Sequence, residues 1–295
     1  MALMPFDDRD GSIWINGEMI PWRQATSHTL SHGLHYASTV FEGERVYSGV
    51  IFKGREHTER LRRSCEMLDF ELPLSDDELD AAKMAVVEAN GIVDGYVRAF
   101  AWRGSEMMAI SAQHTTTHVA IAAWEWPSYF DPETKMKGIT LDIADWKRPS
   151  PESAPVHAKA AGLYMICTLS KHAAEKKVFQ DALMLDYRGY LAEATGANVF
   201  FVDKEGTIHT PIADCFLDGI TRRTVIALAE SLQMKVVQRH LTLDDLSEMT
   251  ECFLTGTAAE VTPVSQIGDA SFTPGDISRQ LVNGYENLVR GRIAL

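Results

Sequence analysis

The alternation of apolar and polar positions is clearest in Gly95–Trp102, which reads Gly-Tyr-Val-Arg-Ala-Phe-Ala-Trp. Side chains on a β-strand alternate between its two faces, so this stretch predicts a strand. One face carries a phenol, a guanidinium and two further aromatic rings, from Tyr96, Arg98, Phe100 and Trp102. Such a face suits a small carboxylate ligand, and the alternative is an exposed edge strand, because aromatic residues favour strands in any case.

Short apolar runs bounded by turn residues predict further strands. Ser12–Trp22 indicates two strands around Asn16-Gly17, the usual composition of a type I′ hairpin turn. The other runs that predict strands are Val40–Val46, His118–Trp124, Ala182–Tyr187, Tyr190–Thr195, Asn198–Val202 and the stretch that begins at Cys252.

Helical spacing recurs between these runs. Ser75-Asp-Asp-Glu78 resembles a capping box that opens a helix, and Asn90-Gly91 can end that helix. The same spacing predicts helices over His57–Phe70, Leu163–Val178, the residues after Asp218 and Pro274–Val289.

A break in this pattern follows Pro127, where Asp131-Pro132 lies in a loop-like stretch. A chain of 295 residues is long enough for two domains. We therefore expect a mixed α/β (α+β) protein with a small N-terminal domain at 1–130, a linker at 131–140 and a larger domain at 141–295.

The composition narrows the class of protein. The formal charge of −13 disfavours binding to nucleic acid or to an anionic membrane. The four cysteines form no C-x-x-C pair, and we find neither a secretory signal nor a membrane-spanning run. We expect a cytoplasmic protein.

Lys159 is the main candidate for chemistry. It lies in His157-Ala-Lys-Ala-Ala-Gly-Leu-Tyr164, among small apolar residues. A lysine with apolar neighbours is desolvated, which favours the neutral, nucleophilic amine. Glu193, between Ala192 and Ala194, is an isolated acid in a similar setting. The alternatives are that Lys159 is an ordinary surface lysine and that Glu193 is a solvated carboxylate on a strand.

Two loops could bind phosphate. Asp218-Gly-Ile-Thr221 precedes a helix whose free amides and dipole favour an anion, and Thr255-Gly-Thr257 follows a strand. The chain has no dinucleotide fingerprint, Walker loop or serine nucleophile elbow. The histidines His28, His32 and His35 allow a metal-dependent hydrolase, but Gly33 is expected to interrupt a helix that would align them. A non-catalytic ligand-binding protein is a further alternative.

These segments, taken together and in order, resemble the branched-chain aminotransferases, which are pyridoxal-phosphate enzymes of fold type IV. The resemblance covers nearly the whole chain. It is carried by His35–Arg45, Arg55–Leu61, Tyr96–Arg98, Ala158–Tyr164, Glu193–Asn198, Leu217–Arg222 and Thr255–Pro263.

The resemblance implies a two-domain fold with a C-terminal pseudo-barrel that binds pyridoxal 5′-phosphate. It implies reversible ping-pong transfer of an amino group between L-leucine, L-isoleucine or L-valine and 2-oxoglutarate. Lys159 would bind the cofactor covalently and move the proton, Glu193 would pair with the pyridine nitrogen, and Tyr164 with the phenolic oxygen. Arg60, the amides of Ile220 and Thr221, and Thr257 would bind the phosphate. The remaining cofactor-site residues implied are Asn198, Leu217, Gly219 and Gly256.

The implied substrate site has two parts. Tyr96 and the amides of Thr257 and Ala258 would hold the α-carboxylate, and Arg98 is the candidate cation for the side-chain carboxylate of glutamate. The pocket residues implied are Tyr36, Phe41, Gly43, Arg45, Trp126 and Tyr129. Some of this wall, Tyr36 included, would come from a partner subunit, which predicts a homodimer or a multiple of it.

Three departures from the family pattern bear on substrate range rather than on cofactor use. They are Ala161-Gly162-Leu163, the Ala-Thr-Gly after Glu193, and the loop Ser105–Ala112. A D-amino-acid aminotransferase, an (R)-amine transaminase or an aminodeoxychorismate lyase would share the same cofactor residues.

Overall fold

The computed structural model describes residues 5–126 and 135–295, which form two compact units. The first unit comprises the described residues up to 126 together with Ala158–Gly162, and the second comprises 135–157 and Leu163–Leu295. The division differs from the predicted one because the segment that contains Lys159 belongs with the first unit. Residues 131–134 of the predicted linker lie outside the described residues, and 139–140 belong to a strand.

The first unit is built on a seven-stranded antiparallel sheet of order β2-β1-β7-β6-β4-β5, with β3 also paired to β6. Its strands are β1 (Ser12–Ile15), β2 (Glu18–Pro21), β3 (Thr39–Phe41), β4 (Glu44–Tyr47), β5 (Val50–Ile51), β6 (Gly95–Arg103) and β7 (Thr117–Glu125). The predicted hairpin is confirmed, and Asn16 and Gly17 have the positive φ angles (51° and 102°) that a type I′ turn requires.

Two predictions about this sheet need correction. The strand expected over Val40–Val46 is two strands, β3 and β4, separated by Glu42 and Gly43. The alternative that Gly95–Trp102 forms an edge strand is wrong, because β6 pairs with β7 on one side and with β3 and β4 on the other.

The helices of the first unit are α1 (His32–Tyr36), α2 (Gly54–Met67) and α3 (Asp76–Ala89). The capping box at Ser75 is confirmed, with Ser75 and Glu78 bonding each other's backbone amides. Gly33 lies inside α1, so the expectation that it interrupts a helix is wrong; His28, however, precedes the helix. Helix α3 packs on β1, β6 and β7 and contacts α2.

The second unit is built on a nine-stranded sheet of order β10-β9-β8-β15-β14-β11-β12-β13, with β16 on β15. Pairing of β10 with β11 closes six of these strands into a barrel. The strands are β8 (Ile139–Ile143), β9 (Asp181–Leu185), β10 (Leu191–Ala194), β11 (Asn198–Asp203), β12 (Ile208–Thr210), β13 (Val236–Gln238), β14 (Met249–Gly256), β15 (Glu260–Ile267) and β16 (Ala270–Ser271). Buried apolar side chains such as Leu183, Phe201 and Leu254 form its core.

The helices of the second unit are α4 (Met165–Lys176), α5 (Ile220–Ser231) and α6 (Asp276–Val289), and a 3-10 turn over Ala161–Tyr164 precedes α4. Helix α4 packs on β8 and β9, whereas α5 and α6 pack on each other and on β14. Among the described residues, no helix combines the length and apolarity needed to cross a membrane.

Candidate active site

The backbone of Lys159 is fixed on both sides within the first unit. Its N–H donates to Ser64 Oγ at 3.0 Å, and its carbonyl accepts from the N–H of Phe41 at 3.1 Å. The neighbouring residues Ala158 and Ala160 are buried, and Ala160 forms a β-bridge with Val40. A long, flexible side chain therefore projects from a rigid base, which is what a positioned amine requires.

The ring of Phe41 connects this lysine with Arg98. Lys159 Nζ lies 5.0 Å from the ring centroid, and the guanidinium carbon of Arg98 lies 4.6 Å from the same centroid. Phe41 and Arg98 also line an open pocket of about 540 Å³, together with Phe6, Thr39, Phe100, Trp124 and Trp126. Within the first unit, an amine, a guanidinium and an apolar pocket are thus grouped around one ring.

Tyr96 and Gly43 fit against each other. A Cβ added at Gly43 would lie 1.8 Å from the Tyr96 hydroxyl oxygen, so no other residue fits there without moving this buried tyrosine. Tyr96 is therefore the group whose close approach requires a glycine at this position.

Arg60 binds Glu42, a residue to which the sequence analysis gave no role. The guanidinium donates from Nε to Oε1 at 2.7 Å and from Nη2 to Oε2 at 2.8 Å. His57 Nδ1 lies 2.6 Å from Glu42 Oε2. All three side chains are buried. Burial raises the pKa of Glu42, but Arg60 and His57 lower it by more and hold it well below the usual range.

The other predicted residues of the first unit are spread over its surface and its interior. Arg45 is buried, with its guanidinium carbon 5.2 Å from the ring centroid of Tyr47. Tyr36 is exposed and stacks on His32 at 4.6 Å. Tyr129 lies outside the described residues.

The three histidines of the metal hypothesis each contact a protein group instead. His32 Nδ1 contacts Ser38 Oγ, and its Nε2 donates to the Ala109 carbonyl. His35 bonds the Thr29 carbonyl, and His28 Nδ1 accepts from the Leu30 amide. Within residues 5–126 and 135–295, the cluster of potential metal ligands is a different one, Asp186 with Asp214 and Cys215.

In the second unit, the predicted acid Glu193 sits at the pair that closes the barrel. Glu193 on β10 is directly opposite Asn198 on β11. Asn198 Nδ2 donates to Glu193 Oε2 at 3.3 Å and to the Leu217 carbonyl at 3.0 Å. Arg148 Nε lies 3.3 Å from Glu193 Oε1. A buried carboxylate is therefore held by a cation and an amide.

Gly219 begins helix α5 beside this group. It is the N-cap residue, and no side chain caps the helix. A Cβ on Gly219 would lie 2.2 Å from Asn198 Oδ1. The first amides of the helix, from Ile220 onward, have no intrahelical partner and favour an anion. Asn198 therefore brings together three other predicted cofactor residues, Glu193, Leu217 and Gly219.

The remaining predicted residues of the second unit lie at the ends of elements. Gly256 ends β14, and Thr257 and Ala258 form the turn into β15. Gly256 is in close contact with the Gly196 carbonyl, which a Cβ would approach to 3.3 Å. Tyr164 is half-buried and is the N-cap residue immediately before α4.

Three residues of the site, Glu42, Ser64 and Arg148, were not predicted from the sequence. Glu42 was visible inside the motif Val40–Val46, where an acid among apolar residues is unusual. Arg148 precedes a proline, which favours an exposed loop, whereas its side chain is buried. Ser64 offered no signal, because only the tertiary fold brings it to Lys159.

Comparison with known proteins places these observations in a family. The profile described as Amino-transferase class IV matches residues 39–267. A probable branched-chain-amino-acid aminotransferase of Rickettsia felis is 43% identical over 98% of this chain and 100% of its own length.

Solved structures agree with this match. A T.th. branched-chain amino acid aminotransferase, crystallised with pyridoxamine 5′-phosphate, has a TM-score of 0.93 and 37% identity over 97% of this chain and 96% of its own. The same enzyme complexed with N-(5′-phosphopyridoxyl)-L-glutamate has a TM-score of 0.91 and 36% identity over the same shares. The chain described here belongs to the class IV amino-transferase family.

Proposed function

We propose that this protein is a pyridoxal-phosphate-dependent branched-chain-amino-acid aminotransferase. It transfers an amino group reversibly between L-leucine, L-isoleucine or L-valine and 2-oxoglutarate. Full-length similarity to enzymes of that name supports the assignment. The observation that carries it is the placement of the Lys159 amine beside Phe41, in a unit whose apolar pocket also contains Arg98.

The residues present fit pyridoxal phosphate. The uncapped start of α5 offers backbone donors to a phosphate, and the absence of a Cβ at Gly219 keeps Asn198 in place beside it. Glu193 is a buried carboxylate that can keep a pyridine nitrogen protonated. Lys159 supplies an amine on a fixed backbone.

When bound, the cofactor supplies an aldehyde carbon for the amine and a ring that takes up the electrons of the substrate Cα–H bond. Lys159 Nζ would then carry the proton that leaves Cα. Glu193 would hold a proton at the ring nitrogen, and Tyr164 would donate to the phenolic oxygen. Ile220, Thr221, Thr257 and Arg60 would bind the phosphate.

Substrate binding needs both an apolar and a charged partner. The aromatic pocket would take the aliphatic side chain, at about 0.8 kcal/mol for each buried CH₂. Arg98, which lines the same pocket, would take the side-chain carboxylate of glutamate. Tyr96 with the amides of Thr257 and Ala258 would hold the α-carboxylate common to both substrates.

Lys159→Ala tests the assignment, with Lys204→Ala as the matched control, since Lys204 is exposed and pairs only with Glu248 among the contacts of the described chain. We expect the wild type and the control to show visible absorbance with pyridoxal phosphate and to transaminate L-leucine with 2-oxoglutarate. Lys159→Ala should lose both properties. Normal turnover by Lys159→Ala would refute the proposal, and faster turnover of D-alanine or (R)-1-phenylethylamine than of L-leucine would favour the sibling enzymes.

We further infer that the protein is a homodimer, or a multiple of dimers, of the cytoplasm. Exposed apolar side chains occur on two segments joined by the bond from His32 to Ala109: Leu30, Leu34, Tyr36, Met108 and Ile110. Such a cluster is typical of an interface. The four cysteines are free and buried, which suits a reducing compartment.

Light scattering during size exclusion tests the dimer. We expect Leu34→Asp to dissociate it and Val178→Asp, at a still more exposed position in the second unit, to leave it intact. A monomeric wild type would contradict the inference.

A further inference from the structure

Phe6 is an exposed aromatic residue held in a fixed place. Its relative exposure is 55%, yet its backbone is tied down: its carbonyl accepts a hydrogen bond from Nε1 of the buried Trp22 at 2.6 Å. A single exposed apolar residue needs no partner, but an ordered ring that lines a pocket marks a place where an apolar group can be bound.

The segment around Phe6 is anchored at further points. The carbonyl of Gly11 accepts from the Trp22 amide at 2.9 Å, and Asn90 exchanges two hydrogen bonds with the backbone of Ser12. Arg23 pairs with Asp8 and Asp10, although these pairs are exposed and contribute little. These contacts hold the segment that precedes β1, which contains Phe6, against the rest of the first unit.

The ring of Phe6 is oriented by two neighbours. The guanidinium carbon of Arg9 lies 4.0 Å from its centroid, and the ring of Trp124 meets it in a T-shaped arrangement at 5.2 Å. Both contacts favour one orientation of the ring. Trp124 continues the aromatic series through Trp126 and Tyr96, at centroid distances of 6.1 and 5.2 Å.

Phe6 lines the same pocket as Phe41 and Arg98. Phe41 also contacts Lys159, so the pocket and the proposed reacting amine share one aromatic ring. We propose that Phe6 is a specificity-determining residue, whose ring contacts the side chain of leucine-sized and larger apolar amino acids. This inference rests on the proposed function and assigns to the N-terminal segment the role of selecting substrates by size.

The contact is made by a part of the substrate that does not react. It would be present in the ground state and in the transition state alike, so its loss raises KM and leaves kcat unchanged. A small substrate such as L-alanine does not reach the ring. The signature of the proposal is therefore an effect that grows with the size of the side chain.

The test compares Phe6→Ala with wild-type holoenzyme on L-alanine, L-norvaline, L-norleucine and L-phenylalanine, with 2-oxoglutarate as acceptor. We expect KM for L-norleucine and L-phenylalanine to rise about tenfold, and KM for L-alanine and all kcat values to change less than about twofold. Phe6→Leu should restore the KM for L-norleucine but not that for L-phenylalanine.

Met67→Ala is the matched control, because Met67 is an apolar residue of similar exposure at the end of α2, away from the pocket. It should leave all values unchanged. A parallel loss across the whole series, or no change for the large substrates, would overturn the role of Phe6. A wild type that does not use L-leucine at all would instead refute the proposed function, so the two failures are distinct.

Discussion

Arg60 and Glu42 face each other through two parallel hydrogen bonds inside the first unit, at 2.7 and 2.8 Å. Glu42 is fully buried, and His57 Nδ1 contacts Oε2, the oxygen that also accepts from Arg60 Nη2. A buried ion pair of this kind adds little net stability relative to apolar residues, but removing one partner leaves an uncompensated charge. The pair also adjoins Phe41, whose amide binds the carbonyl of Lys159.

Glu42→Gln should therefore lower the free energy of unfolding by about 3 kcal/mol, measured in urea on the holoenzyme at neutral pH. The control is Glu59→Gln, which breaks an exposed helical pair with Arg63. That change should cost less than about 0.5 kcal/mol. Equal losses in the two variants would show that the buried pair does not carry the expected energy.

The same carboxylate makes stability depend on pH. The pKa of Glu42 in the folded protein is held below its usual value of 4.5, with burial opposing and Arg60 and His57 outweighing it. As pH falls below that usual value, the unfolded chain takes up a proton that the folded chain refuses, so the stabilisation is present at neutral pH and is lost in acid.

Consequently, the difference in unfolding free energy between wild type and Glu42→Gln should stay nearly constant from neutral pH down to the usual pKa of 4.5 and shrink as the pH falls below it. The neighbouring Glu44 has a pKa raised by burial, an effect that Lys83 partly opposes and the charge of Glu42 increases, so Glu42→Gln also lowers the pKa of Glu44. Urea titrations at several pH values measure the difference. A gap that stays constant would mean that Glu42 is not ionised in the folded state.

Gly219→Ala should weaken binding of pyridoxal phosphate. The new Cβ would lie 2.2 Å from Asn198 Oδ1, and Asn198 could move only by losing its bonds to Glu193 and to the Leu217 carbonyl. Loss of about one hydrogen bond predicts an increase in Kd of about tenfold.

Titration of the apoenzyme with pyridoxal phosphate, followed by tryptophan fluorescence, provides the measurement. Gly196→Ala is the control, because its Cβ meets nothing within 4 Å. If both alanine variants bind the cofactor as the wild type does, Asn198 is not a positioning residue for that site.

The sequence pattern correctly predicted those features that depend on residues close together in the chain. The alternation in Gly95–Trp102 and the capping box at Ser75 were confirmed because each depends on residues a few positions apart. The split between β3 and β4 was missed, since it results from Glu42 being drawn to partners 15 and 18 residues away in sequence. Such long-range contacts of Glu42 leave no trace in the spacing of apolar and polar residues.

The sequence could suggest candidate site residues where a reactive residue type stands in an unusual local setting. Residue type and setting singled out Lys159, Glu193 and the start of α5, and their roles stay predictions; the family match covers the segment that contains them. The sequence could not predict that Asn198 and Glu193 close the barrel, because strand order is a property of the whole unit. Nor could it predict Phe6 in the pocket, since this residue precedes the first strand and belongs to no repeating pattern.

Arg98 gives the last prediction, which concerns how one pocket takes both an aliphatic and an acidic side chain. Its guanidinium carbon lies 4.6 Å from the Phe41 centroid and 5.6 Å from that of Tyr96, so it is placed among the rings rather than outside them. Arg98→Ala removes the positive charge that glutamate needs, whereas an aliphatic side chain loses only contact area. We expect the single-turnover rate with L-glutamate to fall about a hundredfold and that with L-leucine to fall less than about fivefold. Arg63→Ala, which removes an exposed arginine of α2, should alter neither rate. Equal loss in both half-reactions would mean that Arg98 supports the pocket structurally, and the glutamate carboxylate would then have to be bound by a different cation.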